Sequence, residues 1–221
     1  MQRAFAMTVA SVLVIGALLF GAAGRLDWPM AWAFLATWIA VAIAGFAWLD
    51  PELIRERARP SPGFDRVDAV LAAGSFVGFG LLPLAAAGLD VGRLHWTPPL
   101  PLVLRLAALA VFALGNTLSL WAAKSNPFFS DFVRIQTERG HRVVASGPYA
   151  RVRHPGYAGA IPAYFAVPVA LGSLWAVVPA LLGVALLVLR TAREDRTLHA
   201  KLDGYRDYAA RVRWRLLPGV W

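Results

Sequence analysis

Long apolar stretches alternate with short basic segments along most of this chain. A helix needs about 20 mostly apolar residues to cross a bilayer, and four stretches in the first 123 residues reach that length. They span residues 4–23, 29–49, 67–89 and 100–123. The pattern therefore predicts four membrane-spanning helices in this part of the chain.

A fifth apolar stretch, residues 156–189, is too long for one crossing. It runs for 34 residues without a charged side chain and is interrupted by three prolines and by Gly172. Because proline and glycine disfavour an unbroken helix, the stretch predicts a tight helical hairpin that turns near residues 172–173. The expected fold is an all-α, polytopic membrane protein with about six transmembrane helices, the last two forming the hairpin.

Basic residues are distributed unevenly among the segments that connect these stretches. If both termini lie on one side of the membrane, nineteen of the 22 Lys and Arg residues lie on that side. Cytoplasmic segments carry the excess of Lys and Arg, so we expect a multi-pass protein of the inner or plasma membrane with both termini in the cytosol. The distribution also favours the hairpin, because a single long helix would separate the two most basic segments, 124–154 and 190–221.

The composition agrees with a membrane protein and excludes several kinds of chemistry. The chain is 58% hydrophobic and 16% charged, against roughly 45–50% and 25% in soluble domains. It has no cysteine, which excludes disulfides and thiolate chemistry. Because the arginines flank apolar stretches, the net charge of +9 is expected to meet membrane lipids with anionic headgroups, and nucleic acid is not an expected partner.

Residues 124–154, before the hairpin, are too irregular for a plain linker and end in a cluster of side chains suited to binding. Pro155 disfavours helix at the preceding residue, so His154 is expected at the membrane surface, just before a helix N-terminus that favours anionic groups. Tyr149 and Tyr157 flank it. Their rings suit a flat heterocycle or a cation.

Simpler interpretations exist for this end of the chain. The irregular segment also suits an interfacial stretch whose arginines bind phosphates while Phe128 and Phe129 dip into lipid. Arg190 and Glu194 are four residues apart on the predicted last helix, a spacing typical of a surface salt bridge worth well under about 1 kcal/mol. Residues 205–214 predict a short amphipathic helix lying on the inner leaflet.

Two motifs in the second half of the chain resemble one family. The run GHRVVASGPYARVRHPGYAG, followed after the hairpin by LRTAREDR and by LLPGVW, resembles the isoprenylcysteine carboxyl methyltransferase family of integral membrane enzymes. The resemblance covers residues 126–221, while DPELIRER and FDRVD between residues 50 and 68 resemble uncharacterised bacterial relatives. Together with the four predicted spans, it divides the chain into a four-helix membrane region at residues 1–123 and an implied catalytic region at residues 124–221.

The resemblance implies S-adenosylmethionine as the cofactor, bound at the cytosolic face, and no metal. The positions that match the family's cofactor-binding residues are Gln136, His141, Arg142, Val143, Val144, Tyr149, His154, Pro155, Gly156, Tyr157 and Glu194. Two positions match catalytic residues, with Arg190 facing the acceptor and Glu194 facing the cofactor. No glycine-rich dinucleotide motif follows a predicted strand, so the cofactor is expected among loops and helix ends.

The implied reaction transfers a methyl group to the carboxylate of an isoprenylcysteine-like or other lipidic acceptor. A carboxylate needs no general base, and Arg190 would hold it. An amine acceptor such as a phospholipid would have to lose a proton, which gives Glu194 or His154 an acid–base role. A sterol-type reductase with a nicotinamide cofactor and a non-catalytic membrane scaffold are the other two interpretations.

Overall fold

The apolar stretches form a bundle of long helices. A computed structural model describes residues 1–59 and 66–221, and every regular element in these residues is helical. The main helices are α1 (Gln2–Ala23), α2 (Pro29–Trp48), α3 (Pro51–Arg57), α4 (Arg66–Leu94), α5 (Leu102–Ser125), α6 (Pro155–Leu171), α7 (Val177–Lys201) and α8 (Tyr205–Arg211). The all-α prediction is confirmed.

Four of these helices, α1, α2, α4 and α5, are long and apolar enough to cross a membrane. They correspond to the four predicted spans. The helix α4 contains a π-helical stretch at Phe76–Leu81 and runs beyond its predicted end through a second one at Asp90–Leu94. Large apolar side chains such as Leu13, Ile43 and Val103 are exposed on their outer faces. Such faces suit a lipid environment, while the number of crossings and their orientation remain predictions.

The predicted hairpin is present and turns at Gly172. The helix α6 ends at the preceding residue, Gly172 adopts a left-handed conformation with φ of 91°, and α7 begins at Val177. Asp90, near the end of α4, accepts a hydrogen bond from Ser173 Oγ at 2.6 Å, which ties the turn to the bundle. The charged half of α7, from residue 190 onward, continues past its apolar part.

Small residues bring α5 and α6 into close contact and so fix where the hairpin starts. A Cβ atom added to Gly115 would lie 2.4 Å from the carbonyl oxygen of Gly159, so neither position has room for a side chain. Ser119 Oγ donates a hydrogen bond to the carbonyl of Gly156 at 2.8 Å. These contacts hold the first turn of α6 against the end of α5.

Residues 50–66, between the second and third predicted spans, contain the short helix α3. Asp50 caps it by accepting a hydrogen bond from the backbone N–H of Glu52 at 2.7 Å, as expected for an N-terminal cap. Residues 60–65 lie outside the described part of the chain. We call the end of the bundle that carries α3 and the segments 124–154 and 190–221 the basic end.

Candidate functional site

One cavity at the basic end collects most of the predicted cofactor residues. It encloses about 790 Å³, part of it open to solvent. Nine of the eleven predicted residues line it, namely His141, Arg142, Val143, Val144, Tyr149, His154, Gly156, Tyr157 and Glu194. Gln136 and Pro155 lie outside the lining, and we call this space the cofactor cavity.

The walls of the cofactor cavity combine apolar and aromatic side chains with a few charged ones. The loop at residues 126–144 contributes Phe128 and Phe129, α7 contributes Leu198, and α8 contributes Tyr205. Phe128 is buried in this wall, not dipped into lipid as the interfacial interpretation would have it. This mixture of apolar and polar side chains suits a small molecule that has both apolar and charged parts.

His154, Tyr157 and Glu194 form one corner of the cavity. His154 ends the loop and Tyr157 lies on the first turn of α6, so their rings stack with planes 10° apart and centroids 6.0 Å apart. Tyr157 Oη donates to Glu194 Oε2 at 2.6 Å, and His154 Nδ1 lies 3.8 Å from Glu194 Oε1. A carboxylate beside two aromatic rings favours a cation.

Asp195, which the sequence pattern alone does not single out, anchors this corner from behind. Its Oδ1 accepts hydrogen bonds from Arg153 Nε at 2.8 Å and Tyr205 Oη at 2.9 Å, and lies 3.3 Å from His154 Nε2. Its Oδ2 accepts from Arg215 Nε at 2.8 Å. Burial opposes ionisation, but the hydrogen bonds from His154 and the two arginines outweigh it and hold the pKa of Asp195 well below its usual range. Asp195 is therefore ionised and joins His154 to the C-terminal tail.

Backbone hydrogen bonds hold the C-terminal tail against the same loop. The N–H of Arg153 donates to the carbonyl of Trp214, and the N–H of His154 donates to the carbonyl of Arg215, both at 2.9 Å. Arg153 Nη1 also donates to the carbonyl of Val212 at 3.0 Å. The tail is thus part of the support that positions His154.

The predicted amphipathic helix is present as α8, but its apolar side faces the protein. Tyr205, Tyr208 and Val212 are buried in a cluster with Val143 and Leu198. The sequence predicted contact with the inner leaflet instead. Periodicity identifies an apolar side without specifying what covers it, and here the wall of the cofactor cavity does.

Gln136 supports the cavity wall without lining it. It is buried, its Nε2 donates to the carbonyl of Phe128 at 2.8 Å, and its Oε1 accepts from Arg139 Nη1 at 2.6 Å. Its backbone N–H donates to His141 Nδ1 at 3.2 Å, and the His141 ring stacks on Phe128 with centroids 4.6 Å apart. Burial, with the charges of Arg134 and Arg139, lowers the pKa of His141, so its ring is mostly neutral near pH 7.

Arg134 is a second residue that sequence reasoning missed. It lines the cofactor cavity and donates to Glu56 of α3 at 2.8 Å and to Glu138 at 2.6 Å. Its Nε is buried and has no hydrogen-bond partner among the described residues. An unpaired buried donor in a cavity wall suits a ligand that brings an acceptor atom.

Arg190 pairs with Asp68 of α4. Its Nε donates to Asp68 Oδ1 at 2.8 Å and its Nη2 to Asp68 Oδ2 at 3.2 Å, while Nη2 also donates to the carbonyl of Asp131. Arg190 is only 7% exposed, so an exposed surface pair with Glu194 does not describe this structure. The guanidinium lies over the ring of Tyr157, with Cζ 5.6 Å from the ring centroid. Arg190 therefore lies just behind the cavity lining.

Two mostly apolar crevices of about 820 and 880 Å³, both partly open to solvent, lie next to each other outside the cofactor cavity. One runs between α1, α2 and α3 and reaches Asp131; the other lies deeper, among α1, α2, α4 and α6, and the two share Ser11 and Trp38. Ser130, Phe132 and Val133 line the cofactor cavity. Residues 130–133, which we call the wall segment, therefore separate the cavity from the crevice.

Known proteins resemble this region of the chain. Residues 107–200 match the model of the Isoprenylcysteine carboxyl methyltransferase (ICMT) family. Over 103 residues the chain is 33% identical to the Lamin-B receptor of Drosophila melanogaster, and the aligned region is 43% of this chain and 14% of that protein. Over 100 residues it is 32% identical to the Delta(14)-sterol reductase TM7SF2 of Mus musculus, and the aligned region is 44% of this chain and 24% of that protein. The chain thus spans less than a quarter of the length of either relative.

The family match extends over the residues that build the cavity. It begins within α5, includes the irregular loop and the hairpin, and ends next to the last residue of α7. It therefore contains all eleven predicted cofactor positions together with Arg190. With four helices suited to a bilayer, the chain is an integral membrane protein whose residues 107–200 match the isoprenylcysteine carboxyl methyltransferase family.

Proposed function

We propose that this protein transfers a methyl group from S-adenosylmethionine to the carboxylate of an isoprenylcysteine-like or other lipidic acceptor. The observation that carries the proposal is the cofactor cavity, because nine of the eleven residues that the family resemblance assigns to the cofactor line it. The family match over residues 107–200 supports a membrane methyltransferase.

The side chains of the cavity suit this cofactor, which supplies an activated methyl group when bound. Glu194 and the neighbouring tyrosine rings suit its cationic sulfonium and ammonium groups. Arg142 suits its carboxylate. Phe128 and Leu198 offer apolar surface to the adenine ring, and the unpaired Nε of Arg134 offers a donor. With these groups, the chain would bind and orient the cofactor and exclude water from it.

The crevice beside the wall segment and the deeper crevice that adjoins it suit a lipidic acceptor. They are lined mainly by apolar side chains, while the crevice next to α3 ends at the ion pair of Arg57 and Asp131. An apolar tail in the crevices would bring a polar head group to the wall segment. A carboxylate head group is ionised near neutral pH, so it needs orientation by a cation and no general base.

Calorimetric titration of the purified protein with S-adenosylhomocysteine and, separately, with NADPH tests the proposed cofactor. We expect binding of S-adenosylhomocysteine and none of NADPH. The reverse result would favour a reductase, the second candidate, which rests on the similarity to the Delta(14)-sterol reductase TM7SF2. Binding of neither would leave a non-catalytic membrane protein.

Methyl incorporation from labelled cofactor tests the proposed acceptor. We expect transfer to a farnesylated cysteine acid in detergent and none to phosphatidylethanolamine. Transfer to phosphatidylethanolamine alone would replace the carboxylate acceptor with an amine.

A further inference from the structure

We infer, on the basis of the proposed function, that Asp68 is a positioning residue for the acceptor: it orients the guanidinium of Arg190 and fixes the wall segment between the cofactor cavity and the crevice. Asp68 lies on α4, outside the family match at residues 107–200. The family match therefore does not include it.

Asp68 engages Arg190 along one edge of the guanidinium. It is 2% exposed, and its two carboxylate oxygens accept hydrogen bonds from Arg190 Nε and Nη2. A guanidinium carries five N–H donors in a rigid planar fork. An arginine held along its Nε edge presents its Nη1 end to a second carboxylate, which is the orientation that an anionic acceptor needs.

The same two side chains also anchor the wall segment. Asp68 Oδ2 accepts a hydrogen bond from the backbone N–H of Val133 at 2.8 Å, and Arg190 Nη2 donates to the carbonyl of Asp131. Val133 lines the cofactor cavity and Asp131 lines the crevice. The pair thus lies where an acceptor head group must come within about 3–3.5 Å of the methyl group.

The packing of α4 on α7 brings the two residues together. A Cβ atom added to Gly78 would lie 2.7 Å from Cα of Gly183, and one added to Gly74 would lie 3.0 Å from Leu186 Cδ1. The two helices therefore run antiparallel. Continuing this pairing toward the basic end brings Asp68 opposite Arg190.

Stability alone does not account for a charged pair at this position. Removing a carboxylate and a guanidinium from water costs free energy, which their attraction offsets only in part. Apolar side chains of similar volume often stabilise a contact between two helices equally well. Arg190 meets Asp68 in a nearly dry contact. A role in orienting a charged ligand explains why the contact is ionic.

The test compares how well the wild type and Asp68→Asn discriminate a charged acceptor from a neutral one. Equilibrium affinity is measured for N-acetyl-farnesylcysteine and for its carboxamide, in the wild type and in the variant. We expect the wild type to prefer the acid and Asp68→Asn to lose roughly tenfold of its affinity for the acid. Affinities for the carboxamide and for S-adenosylhomocysteine should stay within about twofold. A merely structural role would lower all three together.

Asp90→Asn is the matched control. Asp90 is also buried and hydrogen-bonded, but it lies at the opposite end of α4, where Thr97 and Ser173 donate to it. This variant should keep the wild-type ratio of acid to carboxamide affinity even if it unfolds more readily. If Asp68→Asn does not fold, Asp68→Glu is used, since it retains the charge but displaces the carboxylate by one methylene, and the same loss is expected.

Failure of the inference and failure of the proposed function give different results. A wild type that binds neither S-adenosylhomocysteine nor the farnesylated acid contradicts the proposed function. A wild type that binds both, with an acid preference that a folded Asp68 variant retains, overturns the positioning role and leaves the proposed function intact.

Discussion

At the scale of single residues, Asp195 gathers several cations of the basic end around one buried carboxylate. The side chains of Asp195 and Arg153 are 2% and 6% exposed, so removing the carboxylate would leave Arg153 as an unpaired buried cation. Breaking such a pair costs about 3–5 kcal/mol of unfolding free energy. We expect Asp195→Asn to lower the thermal unfolding temperature strongly, as measured by intrinsic fluorescence. The exposed carboxylate of Asp203 provides the control, and an Asp203→Asn variant as unstable as Asp195→Asn would contradict the anchoring role.

Glu194 is expected to act on the cofactor, in contrast to Arg190. Its carboxylate lies in the cavity, where it accepts a hydrogen bond from Tyr157. Glu194→Gln keeps the shape but removes the negative charge, so it should raise the dissociation constant for S-adenosylhomocysteine roughly tenfold. Arg190→Lys should leave that constant near the wild-type value and reduce methyl transfer to a carboxylate acceptor.

Calorimetric titration with S-adenosylhomocysteine and a methyl-transfer assay, both on the two variants and on Glu52→Gln, separate these roles. Glu52 is exposed on α3 and its substitution should have no effect. An unchanged dissociation constant for Glu194→Gln would move the cationic end of the cofactor elsewhere in the cavity. A near-wild-type rate of transfer by Arg190→Lys would favour an amine acceptor.

His141 gives the protein a pH dependence whose sign follows from its lowered pKa. Burial and two nearby arginines favour the neutral ring, so just below the free imidazole pKa of about 6.5 the folded protein binds fewer protons than the unfolded chain. The resulting stability is fully present above that pH and is lost as the pH falls through the folded pKa. Between about pH 7.5 and about pH 5.5, the unfolding temperature should fall more in the wild type than in His141→Gln. Equal slopes for the two proteins would exclude this contribution.

At the scale of elements, the sequence predicts a feature when the residues that determine it lie in one continuous stretch. The hairpin is predictable because its prolines, Gly172 and its lack of charge lie in one stretch. The pair of Asp68 and Arg190 is not, because the partners are 122 positions apart and no periodicity states which helices touch. The cofactor positions came from the family resemblance, and the fold then brings most of them to one cavity.

The C-terminal tail is an element whose function depends on contacts that are remote in sequence. Arg215 donates to Asp195, and its guanidinium lies over the ring of Trp221, with Cζ 5.0 Å from the ring centroid. Because this contact supports the residue that fixes His154, we expect Arg215→Ala to weaken binding of S-adenosylhomocysteine by several-fold, measured by calorimetry. Arg213 has an exposed side chain in the same tail, and Arg213→Ala should bind like the wild type. Equal affinities for the two variants would separate the tail from the site.

At the scale of the whole molecule, we propose that residues 1–123 span the membrane and that residues 124–221 hold the cofactor. Two residues of the first region nevertheless contact residues of the second region. Glu56 on α3 accepts a hydrogen bond from Arg134 of the cavity wall, and Asp68 on α4 holds Arg190. The first region therefore reaches the site from two helices. Its contribution is to position charged residues of the second region, in addition to providing the membrane-spanning bundle.

The residues that line the cavity also indicate which segments lie on the same side of the membrane. Residues of the 126–144 loop and of the tail beyond Glu194 line it together, so we expect the segments 124–154 and 190–221 on the same side. Their excess of Lys and Arg predicts that this side is cytosolic. Topology reporters fused after Lys124 and after Trp221 should both report the cytosol, whereas one fused after His95 should report the outer side. Opposite sides for the first two fusions would mean that residues 156–189 cross once and would contradict the hairpin. The same side for those two, but outside, would retain the hairpin and invert the protein, because the relation between the segments comes from the fold and the orientation from the distribution of charge.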